Sequence, residues 1–419
     1  MQQALAGFPR ELLNQPWSAR IQYFRTYTMA HPWLVNARDA LVNAIHEVPP
    51  NSLILVLGPT GVGKTTLRMK IEQMLAAEML PAIKVDAGRL PVVSMECVAP
   101  ESGSFSWRDH FRRLLLQMEE PLVDHKIDPA AAVRLGDRTM RFTPSDKAVG
   151  AEYQHAVERA LAFRRPAAVL IDEAQHLARM GSGRRLADQL DVIKSLASRT
   201  KTVHVLIGTY ELLAFRNLSA QLSRRSIDIH FPRYRVANPE DGKAFRTVLR
   251  SFEQQLPLSD PPALLNEWEY LYERSIGCVG ILKDWLIRTL VSASTRNADT
   301  LKRKDLEAHA LSVGQCDKML SEAEEGEARL VESTEERSRL RARLGLSPKE
   351  NARQDSSIVG APPPSGIAAP PRNRRKPGQR APVRDAVGEA KSDYANAGAF
   401  LIPGIAHCRS CRRGAGYTR

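Results

Sequence analysis

The eight residues Gly58–Thr65 limit what this chain can fold into more than any other segment does, because they read Gly-Pro-Thr-Gly-Val-Gly-Lys-Thr. They follow a nearly continuous apolar run at 52–57 and open an amphipathic helix pattern at Lys64, which is the context that the motif G-x-x-x-x-G-K-[ST] requires. Glycines let such a loop curl so that its N–H groups face a phosphate, and the helix N-terminus adds positive potential. The segment predicts a P-loop.

A P-loop implies ATP and Mg²⁺ as cofactors, and the residue types predict separate roles within it. We expect Lys64 to reach the β- and γ-phosphates and Thr65 to hold Mg²⁺. The other expected nucleotide contacts are Gly58, Pro59, Thr60, Gly61, Val62, Gly63 and Thr66. The alternative is a glycine-rich strand-to-helix turn that holds no ligand.

Two carboxylates, Asp172 and Glu173, directly follow a second apolar run at 169–171. The carboxyl end of a parallel strand lies at the sheet edge where ligands bind. We therefore expect Asp172 to hold Mg²⁺ through water and Glu173 to orient and polarise the water that attacks ATP. The alternative is a helix N-cap that follows a strand.

Two further positions complete the predicted catalytic set. Thr209 ends the next strand pattern, and we expect it to contact the γ-phosphate or the attacking water; a simple strand-end turn is the alternative. Arg224 and Arg225 end the following helix pattern, and one of them is expected to act as an arginine finger toward the nucleotide of a neighbouring subunit. Basic residues that stabilise a helix C-terminus are the alternative for this pair.

Strand and helix patterns alternate from 52 to 231, which predicts a three-layer α/β domain with a five-stranded parallel sheet. The expected strands are 52–57, 91–96, 167–171, 203–207 and 227–231. The expected helices between them are 64–79, 107–118, 151–163, 186–198 and 212–222, and further helix patterns follow at 238–255, 263–274, 281–296 and 303–313. The polar segment 124–150 reads as an irregular insertion.

These patterns divide the chain into five expected parts. They are an N-terminal helical extension at 1–50, a nucleotide-binding α/β subdomain at 51–235, a small helical lid at 236–320, a charged helix or linker at 321–344, and a Pro-rich basic tail at 345–419. The tail cannot bury enough apolar surface to fold alone, so we expect it to be disordered.

The net charge of +13 favours an acidic partner, most often nucleic acid, but +8 of it belongs to 345–419. Five cysteines form no disulfide framework. No stretch approaches the roughly 18 apolar residues that a membrane span needs, and 1–17 contains no apolar core of a signal peptide. We expect a cytoplasmic protein with no membrane partner.

The end of the tail carries two short features. An apolar patch at 400–405 is a candidate docking motif, and His407, Cys408 and Cys411 are candidate zinc ligands. A single C-x-x-C without a second pair is a weak signal, so an unstructured tail without metal is the favoured interpretation.

Over about 35–315 the chain resembles an AAA+ ATPase. The features that carry the resemblance are, in order, the P-loop, the Asp-Glu strand, the polar strand end, the arginine pair and the helical lid. Three finer stretches, 57–66, 171–176 and 208–211 with 221–225, are similar to the TniB/TnsC family of ATP-dependent transposition regulators, relatives of MuB. The resemblance implies homo-oligomers, as rings or helical filaments, on double-stranded DNA without sequence preference. It also implies contacts with a TniQ-like target selector and a DDE transposase.

One position departs from the AAA+ pattern. Many lids carry an arginine near the γ-phosphate in a G-x-x-R pattern, whereas the matching stretch here is 277–280 and ends in Gly280. Lys283, one turn further, is a candidate substitute. A missing arginine predicts slow hydrolysis, typical of a switch more than of a motor.

Basic residues near the insertion are candidates for DNA contacts, although solvated surface charge is the favoured interpretation of each of them. The candidates are Arg112, Arg113, Arg134, Arg138, Arg141 and Lys147. Two other functions remain open. One is a helicase loader or replication-type AAA+ ATPase, although 320–419 contain no helix-turn-helix signature; the other is a nucleotide-switched protein scaffold that does not bind DNA.

Overall fold

The computed structural model describes residues 7–99, 105–125, 132–135, 138–141, 146–178, 186–216 and 226–346, with side chains described except within 125–149 and 186–190. The predicted finger residues Arg224 and Arg225 lie outside the described residues. So does the chain from 347 onward, which includes His407, Cys408 and Cys411.

The nucleotide-binding half of the chain is built on a parallel sheet. The strands of the described residues are β1 (Leu53–Leu57), β2 (Val93–Glu96), β3 (Ala132–Leu135), β4 (Arg138–Arg141), β5 (Ala168–Asp172), β6 (Val203–Gly208) and β7 (Ser226–His230). Five of them form one sheet in the order β2-β5-β6-β1-β7, and each neighbouring pair is parallel. The predicted five-stranded parallel sheet is confirmed.

The register of the sheet brings the site-bearing strand ends together. Leu57 pairs with Gly208 of β6 and with His230 of β7, while Glu96 pairs with Asp172. The strands β1, β5 and β6 are buried over their whole length, as expected for central parallel strands that both faces cover. The P-loop, Asp172 and Thr209 therefore follow adjacent strands at one edge.

Helices cover the sheet and continue beyond it. Those of the described residues are α1 (Trp17–Thr26), α2 (Pro32–Glu47), α3 (Lys64–Val85), α4 (Trp107–Gln117), α5 (Asp146–Arg164), α6 (Leu186–Thr200), α7 (Leu213–Arg216), α8 (Pro239–Gln255), α9 (Trp268–Ser275), α10 (Val279–Ser294), α11 (Arg303–Glu307), α12 (Val313–Ala328) and α13 (Thr334–Arg343). Single turns of 3-10 helix lie at Arg10–Asn14, Val123–His125, Ala174–Ala178, Tyr210–Leu212 and Leu264–Glu267.

The predicted irregular insertion at 124–150 is wrong in two places. Strands β3 and β4 form an antiparallel pair within it, with Val133 opposite Met140. Helix α5 begins at Asp146, five residues before the expected start at 151. Both differences arise in short polar stretches, where apolar periodicity gives little signal.

Side chains of β1 alternate between two cores. Leu53, Leu55 and Leu57 point to the face covered by α4 and α5, whereas Ile54 and Val56 point to the face covered by α2 and α3. A third core joins the helices after β7, and Phe24 of α1 belongs to it. The N-terminal helices thus pack into both halves of the described chain.

The helical region after 303 also differs from prediction. The expected helix 303–313 ends at Glu307. A second helix, α12, starts directly after Ser312, whose side chain accepts a hydrogen bond from the N–H of Gln315. The segment 321–344 is predicted as a charged helix or linker, and Ala323, Gly326 and Glu327 of α12 are nevertheless buried within it. Helix α13 has no buried residue. In the described residues we find no helix with the length and apolarity to cross a membrane.

Buried histidines predict a pH-dependent stability. Burial lowers the pKa of His110 and of His204 to about 4, against 6.5 for the free side chain. The unfolded chain therefore binds more protons between pH 6.5 and 4, so the free energy of unfolding falls as pH falls through this window. Each histidine contributes a loss of about 2 kcal/mol between pH 7 and 5.

Urea unfolding at pH 7 and pH 5 measures this effect. The variant His204→Leu should lose less stability on acidification than the unsubstituted chain. His155→Leu is the matched control, because the His155 side chain is 64% exposed. Equal pH dependence in both variants would contradict the prediction.

Candidate functional site

The P-loop of this chain has the backbone of a phosphate cradle. Gly61 has φ of 76° and Gly63 has φ of 112°, values that favour glycine. Gly58 lies so close to the carbonyl oxygen of Phe231 that a Cβ atom would overlap it. Glycine is therefore required at these positions for conformation and for close packing.

Lys64 is buried at the start of α3 and already has hydrogen-bond partners. Its Nζ donates to the carbonyl oxygens of Gly58, at 3.1 Å, and Pro59, at 2.9 Å. Burial lowers the pKa of Lys64, while the nearby carboxylates of Glu173 and Asp172 oppose that shift. Those carboxylates therefore favour a charged lysine inside the loop.

The two predicted carboxylates occupy different environments at the end of β5. Asp172 is 2% exposed, and its Oδ1 accepts a hydrogen bond from the N–H of Glu173 at 3.0 Å. Glu173 has φ of 51°, which is uncommon for a residue with a side chain. This turn directs the Glu173 carboxylate away from the strand and toward Gln175, whose side-chain amide donates to it.

Gln175 is a site residue that the sequence analysis missed. It is buried, its Nε2 donates to the Glu173 carboxylate, and its Oε1 accepts from the backbone N–H of Thr209 at 3.2 Å. One amide thus links the ends of β5 and β6. A signal was present in the sequence, because Gln175 lies only two residues beyond Glu173.

Thr209 lies where the sequence predicts, at the end of β6. Its Oγ1 is buried and has no hydrogen-bond partner in the part of the chain that the structure describes. A buried hydroxyl without a partner is costly, so the atom is available to a ligand. This orphaned oxygen fits a phosphate or a positioned water.

Arg68 is a second residue that the sequence analysis missed. It lies one helical turn after Lys64, and its Nε donates to Asp172 Oδ2 at 3.2 Å. Its Nη1 donates to Ser94 Oγ at 2.7 Å and to the carboxylate of Glu72. The guanidinium of Arg68 therefore holds the Asp172 carboxylate from helix α3. Its position on an otherwise ordinary helix gave no sequence signal.

The remaining P-loop residues differ in exposure. Thr60 and Thr65 are exposed, Thr66 is half-buried, and Val62 is buried in the core between the sheet and α2. The exposed Thr65 hydroxyl and the buried Asp172 carboxylate are the oxygens that fit the expected Mg²⁺, since this ion prefers oxygen ligands.

Gly280, which stands in place of the arginine of the G-x-x-R pattern, lies in close contact with the P-loop. The N–H of Ile281 donates to the Gly61 carbonyl oxygen at 3.2 Å, so the first turn of α10 lies directly against the P-loop. A Cβ atom at Gly280 would overlap that same carbonyl. Glycine is therefore required here by the close approach, and an arginine does not fit.

Lys283 already has hydrogen-bond partners in the backbone. Its Nζ donates to the carbonyl oxygens of Arg25, at 2.8 Å, and Tyr27, at 2.7 Å. The lysine thus caps the C-terminus of α1. Its candidate role as a substitute for the missing arginine is not supported by this geometry.

Two clefts flank the P-loop. One, which we call the phosphate-side cleft, encloses about 350 Å³ between the loop, the end of β6 and one face of α12. Its lining residues are Pro59, Thr60, Gln175, Thr209, Tyr210, Glu211, Met319, Glu322, Ala323, Glu325, Gly326 and Arg329. The other is narrower and lies among α2, the P-loop and α10, with His31, Val62, Thr66 and Val279 in its wall.

A buried ion pair fixes α12 over the site. Glu327 accepts from Arg233 in bidentate geometry, at 2.9 and 3.2 Å, and both side chains are buried. Gly326 lies against the ring of Tyr210, where a Cβ atom would overlap ring atoms. Helix α12 is therefore held to the residue that follows Thr209.

Two predicted DNA-binding arginines are paired with carboxylates. Arg112 binds Asp124 through two hydrogen bonds, at 2.6 and 2.9 Å, and Arg113 binds Asp109 at 2.6 Å. The side chains of Arg134, Arg138, Arg141 and Lys147 lie outside the described residues.

The domain has the AAA+ P-loop fold. This fold is defined by the strand order of the sheet, by the P-loop that follows β1 and by the two carboxylates at the end of β5. Residues 50–215 match the family model described as AAA domain. The expectation of an AAA+ domain is confirmed, whereas the narrower TniB/TnsC resemblance stays a prediction. No curated protein matches the chain.

Solved structures similar to this chain include origin-recognition proteins. The Aeropyrum pernix ORC2 protein in its ADPNP–ADP complexes is 14% identical, with 72% of this chain and 71% of that chain covered and a TM-score of 0.43. The Aeropyrum pernix ORC1 protein in complex with DNA is 18% identical, with 72% and 68% covered and a TM-score of 0.43. Drosophila ORC bound to DNA is 13% identical, with 83% and 78% covered and a TM-score of 0.43. Similarity at this level says nothing about function.

Substitution of Gly280 tests the contact between α10 and the P-loop. Alanine raises helix propensity by about 1 kcal/mol, so Gly280→Ala would stabilise a free helix. Here we expect the opposite, a lower melting temperature and weaker ATP binding, because the Cβ atom displaces the Gly61 carbonyl.

Gly314→Ala is the matched control. Gly314 also lies in a first helical turn, and a Cβ atom there meets nothing within 4 Å. Thermal unfolding and calorimetric titration with ATP measure both variants. An unchanged Gly280→Ala protein would contradict the proposed contact.

Proposed function

We propose that this chain is an ATP-dependent switch that binds Mg²⁺ and ATP at the P-loop and hydrolyses ATP slowly. The observation that carries this proposal is the convergence of Lys64, Asp172, Glu173 and Thr209 at one edge of the sheet, with Gln175 linking the last two. An AAA domain at 50–215 is consistent with it.

The residues of the site have separate roles in ATP hydrolysis. Gly58–Thr66 hold the phosphates, with Lys64 exchanging its loop carbonyls for phosphate oxygens. Thr65 and Asp172 hold Mg²⁺, which neutralises phosphate charge when bound. Glu173, oriented by Gln175, accepts a hydrogen bond from the attacking water, and Thr209 Oγ1 donates to the water or the γ-phosphate.

The narrow cleft beside α2 suits the adenine base. Val62 and Val279 offer apolar walls, and His31 is held by a 3.0 Å hydrogen bond to Tyr234 Oη. Burial lowers the pKa of His31 to about 4, so the ring is neutral at physiological pH. Lys283 also lines the cleft, but its Nζ is held by backbone carbonyls, and the largely apolar remainder of the wall fits a flat uncharged base.

A second copy of the chain completes the site in this proposal. One of Arg224 and Arg225 reaches the nucleotide of the neighbouring subunit and supplies positive charge to the phosphoryl transfer. Hydrolysis then depends on assembly, which makes the nucleotide a control on a ring or helical filament.

Transposition is the process that we propose this switch serves. The support is the motif resemblance at 57–66, 171–176 and 208–211 with 221–225 to TniB/TnsC regulators. On this proposal ATP-bound subunits assemble on double-stranded DNA in the cytoplasm and link a TniQ-like selector to a transposase. Phosphate contacts alone suffice for binding without sequence preference.

Electron microscopy of the purified chain tests the proposal. Samples contain ADP or a non-hydrolysable ATP analogue, each with and without duplex DNA. Rings or filaments seen only with the analogue and DNA support the DNA-bound switch. Assembly that is indifferent to DNA would contradict it and favour a protein scaffold, while capture of a replicative helicase instead of a transposase would favour a helicase loader.

The variant Glu173→Gln separates binding from hydrolysis. Glutamine keeps the size of the side chain and one acceptor oxygen, but it has no negative charge with which to polarise the attacking water. We expect unchanged ATP binding, hydrolysis lower by about 10²- to 10⁴-fold, and assemblies that persist with ATP.

Lys64→Ala is the companion variant. It removes the phosphate-binding cation, so both ATP binding and nucleotide-dependent assembly should be lost. Filter binding, phosphate release and microscopy distinguish the two variants. A Glu173→Gln chain that fails to bind ATP, or a Lys64→Ala chain that assembles normally, would contradict the assigned roles.

A further inference from the structure

The guanidinium of Arg68 lies beside Asp172, the carboxylate that is expected to hold Mg²⁺. The Nε of Arg68 donates to Asp172 Oδ2 at 3.2 Å, and the arginine side chain is 18% exposed. Asp172 is almost fully buried, and in the described part of the chain Arg68 is the cation with which it forms an ion pair. A buried carboxylate without a cation is costly, so the end of β5 depends on this pair for its stability.

Two further groups prevent Arg68 from turning away from Asp172. Its Nη1 donates to Ser94 Oγ at 2.7 Å and to the carboxylate of Glu72, one helical turn further along α3. Ser94 lies on β2 and Asp172 ends the neighbouring strand β5, so one planar side chain joins α3 to two strands of the sheet. Three fixed partners hold the guanidinium in one orientation.

Asp172 retains acceptor capacity despite these contacts. Its Oδ1 accepts the N–H of Glu173 at 3.0 Å, and its Oδ2 accepts from Arg68. An ionised carboxylate has about four lone-pair sites, so about two remain for metal-bound water. Arg68, Glu72 and Asp172 carry one positive and two negative charges, a net charge of −1. The pairing therefore holds Asp172 without cancelling its attraction for a divalent cation.

We propose that Arg68 is a positioning residue for the Mg²⁺ site. It serves as the counter-ion of Asp172 while no metal is bound, and it orients the carboxylate toward metal-bound water. This role rests on the proposed function, which assigns Mg²⁺ to Thr65 and Asp172. Bound Mg²⁺ supplies positive charge of its own to the Asp172 carboxylate, so the folded chain depends less on Arg68 in that state.

Lys64, the other cation near Asp172, is committed elsewhere. Its Nζ donates to two carbonyl oxygens within the P-loop, and in the proposed function it exchanges these for phosphate oxygens. The hydrogen bonds of Arg68 in the described chain all end on residues outside the P-loop. Arg68 therefore stays with Asp172 whether or not a nucleotide is bound.

Thermal unfolding of the full chain with ADP, in EDTA or in excess Mg²⁺, tests the inference. In EDTA, Arg68→Gln leaves the charge of Asp172 buried without a partner, so we expect a melting temperature lower by about 5 to 10 °C. In Mg²⁺ the loss should shrink to about half of that value, because the metal replaces the missing charge. Arg68→Lys keeps the charge without the planar fork and should lose less in EDTA than Arg68→Gln does.

Two controls separate this role from a contribution to packing alone. Lys70→Gln removes a charge from the same helix, where the Lys70 Nζ donates to the uncharged Gln73 at 3.2 Å, and its melting temperature should follow that of the unsubstituted chain in both buffers. In EDTA, Arg68→Gln should also cost less when it is combined with Asp172→Asn, because the amide is neutral and needs no counter-ion.

The outcomes are distinct. An equal loss in EDTA and in Mg²⁺, or an equal loss with and without Asp172→Asn, would overturn the inference and leave the proposed function intact. A glutamine variant that folds only with Mg²⁺ supports the inference, and Arg68→Lys carries the comparison if the glutamine variant folds in neither buffer. An unsubstituted chain whose melting temperature responds to neither ADP nor Mg²⁺ would overturn the proposed function and the inference with it.

Discussion

The hydrogen bond from the N–H of Ile281 to the carbonyl oxygen of Gly61, at 3.2 Å, joins the phosphate loop to the helices that follow the sheet. It forms only because neither Gly61 nor Gly280 carries a side chain at the point of contact. Because α10 is the centre of the helical core, with Trp285 and Leu286 fully buried, the loop is fixed against a large rigid body. The position of the phosphates and the position of the helices are therefore set together.

The parts of the fold that sequence reasoning predicts are those with a local physical signal. Strands β1, β5 and β6 are continuous apolar runs because both faces of the sheet are covered, and such runs are visible without any partner. Asp172 and Glu173 follow from the same signal, since they end one of these runs. The pair β3 and β4 was missed although Gly136-Asp137 between them is a hairpin signal, because neither strand is apolar enough to be noticed.

The residues that sequence reasoning missed act across long distances in the chain. Arg68 meets Asp172 across 104 positions, and Glu327 meets Arg233 across 94. Neither the hydrophobic periodicity of the sequence nor the spacing of its motifs indicates that these residues form pairs. Glu327 lies in the segment predicted as a charged helix or linker, where its burial could not be foreseen because its partner Arg233 is distant in the sequence. The sequence pattern likewise shows that Gly280 replaces an arginine, but it does not show the Gly61 carbonyl that excludes a side chain there.

The hydrogen bonds of Lys64 have a further consequence for how the loop acquires its shape. The lysine binds the carbonyls of Gly58 and Pro59, so it closes a ring within its own loop. Curling the loop reduces the conformational entropy of the backbone, and this reduction takes place when the protein folds. A ligand that binds afterwards therefore does not reduce that entropy again. Lys64 acts as an internal template, and the loop that meets a nucleotide is already organised to receive it.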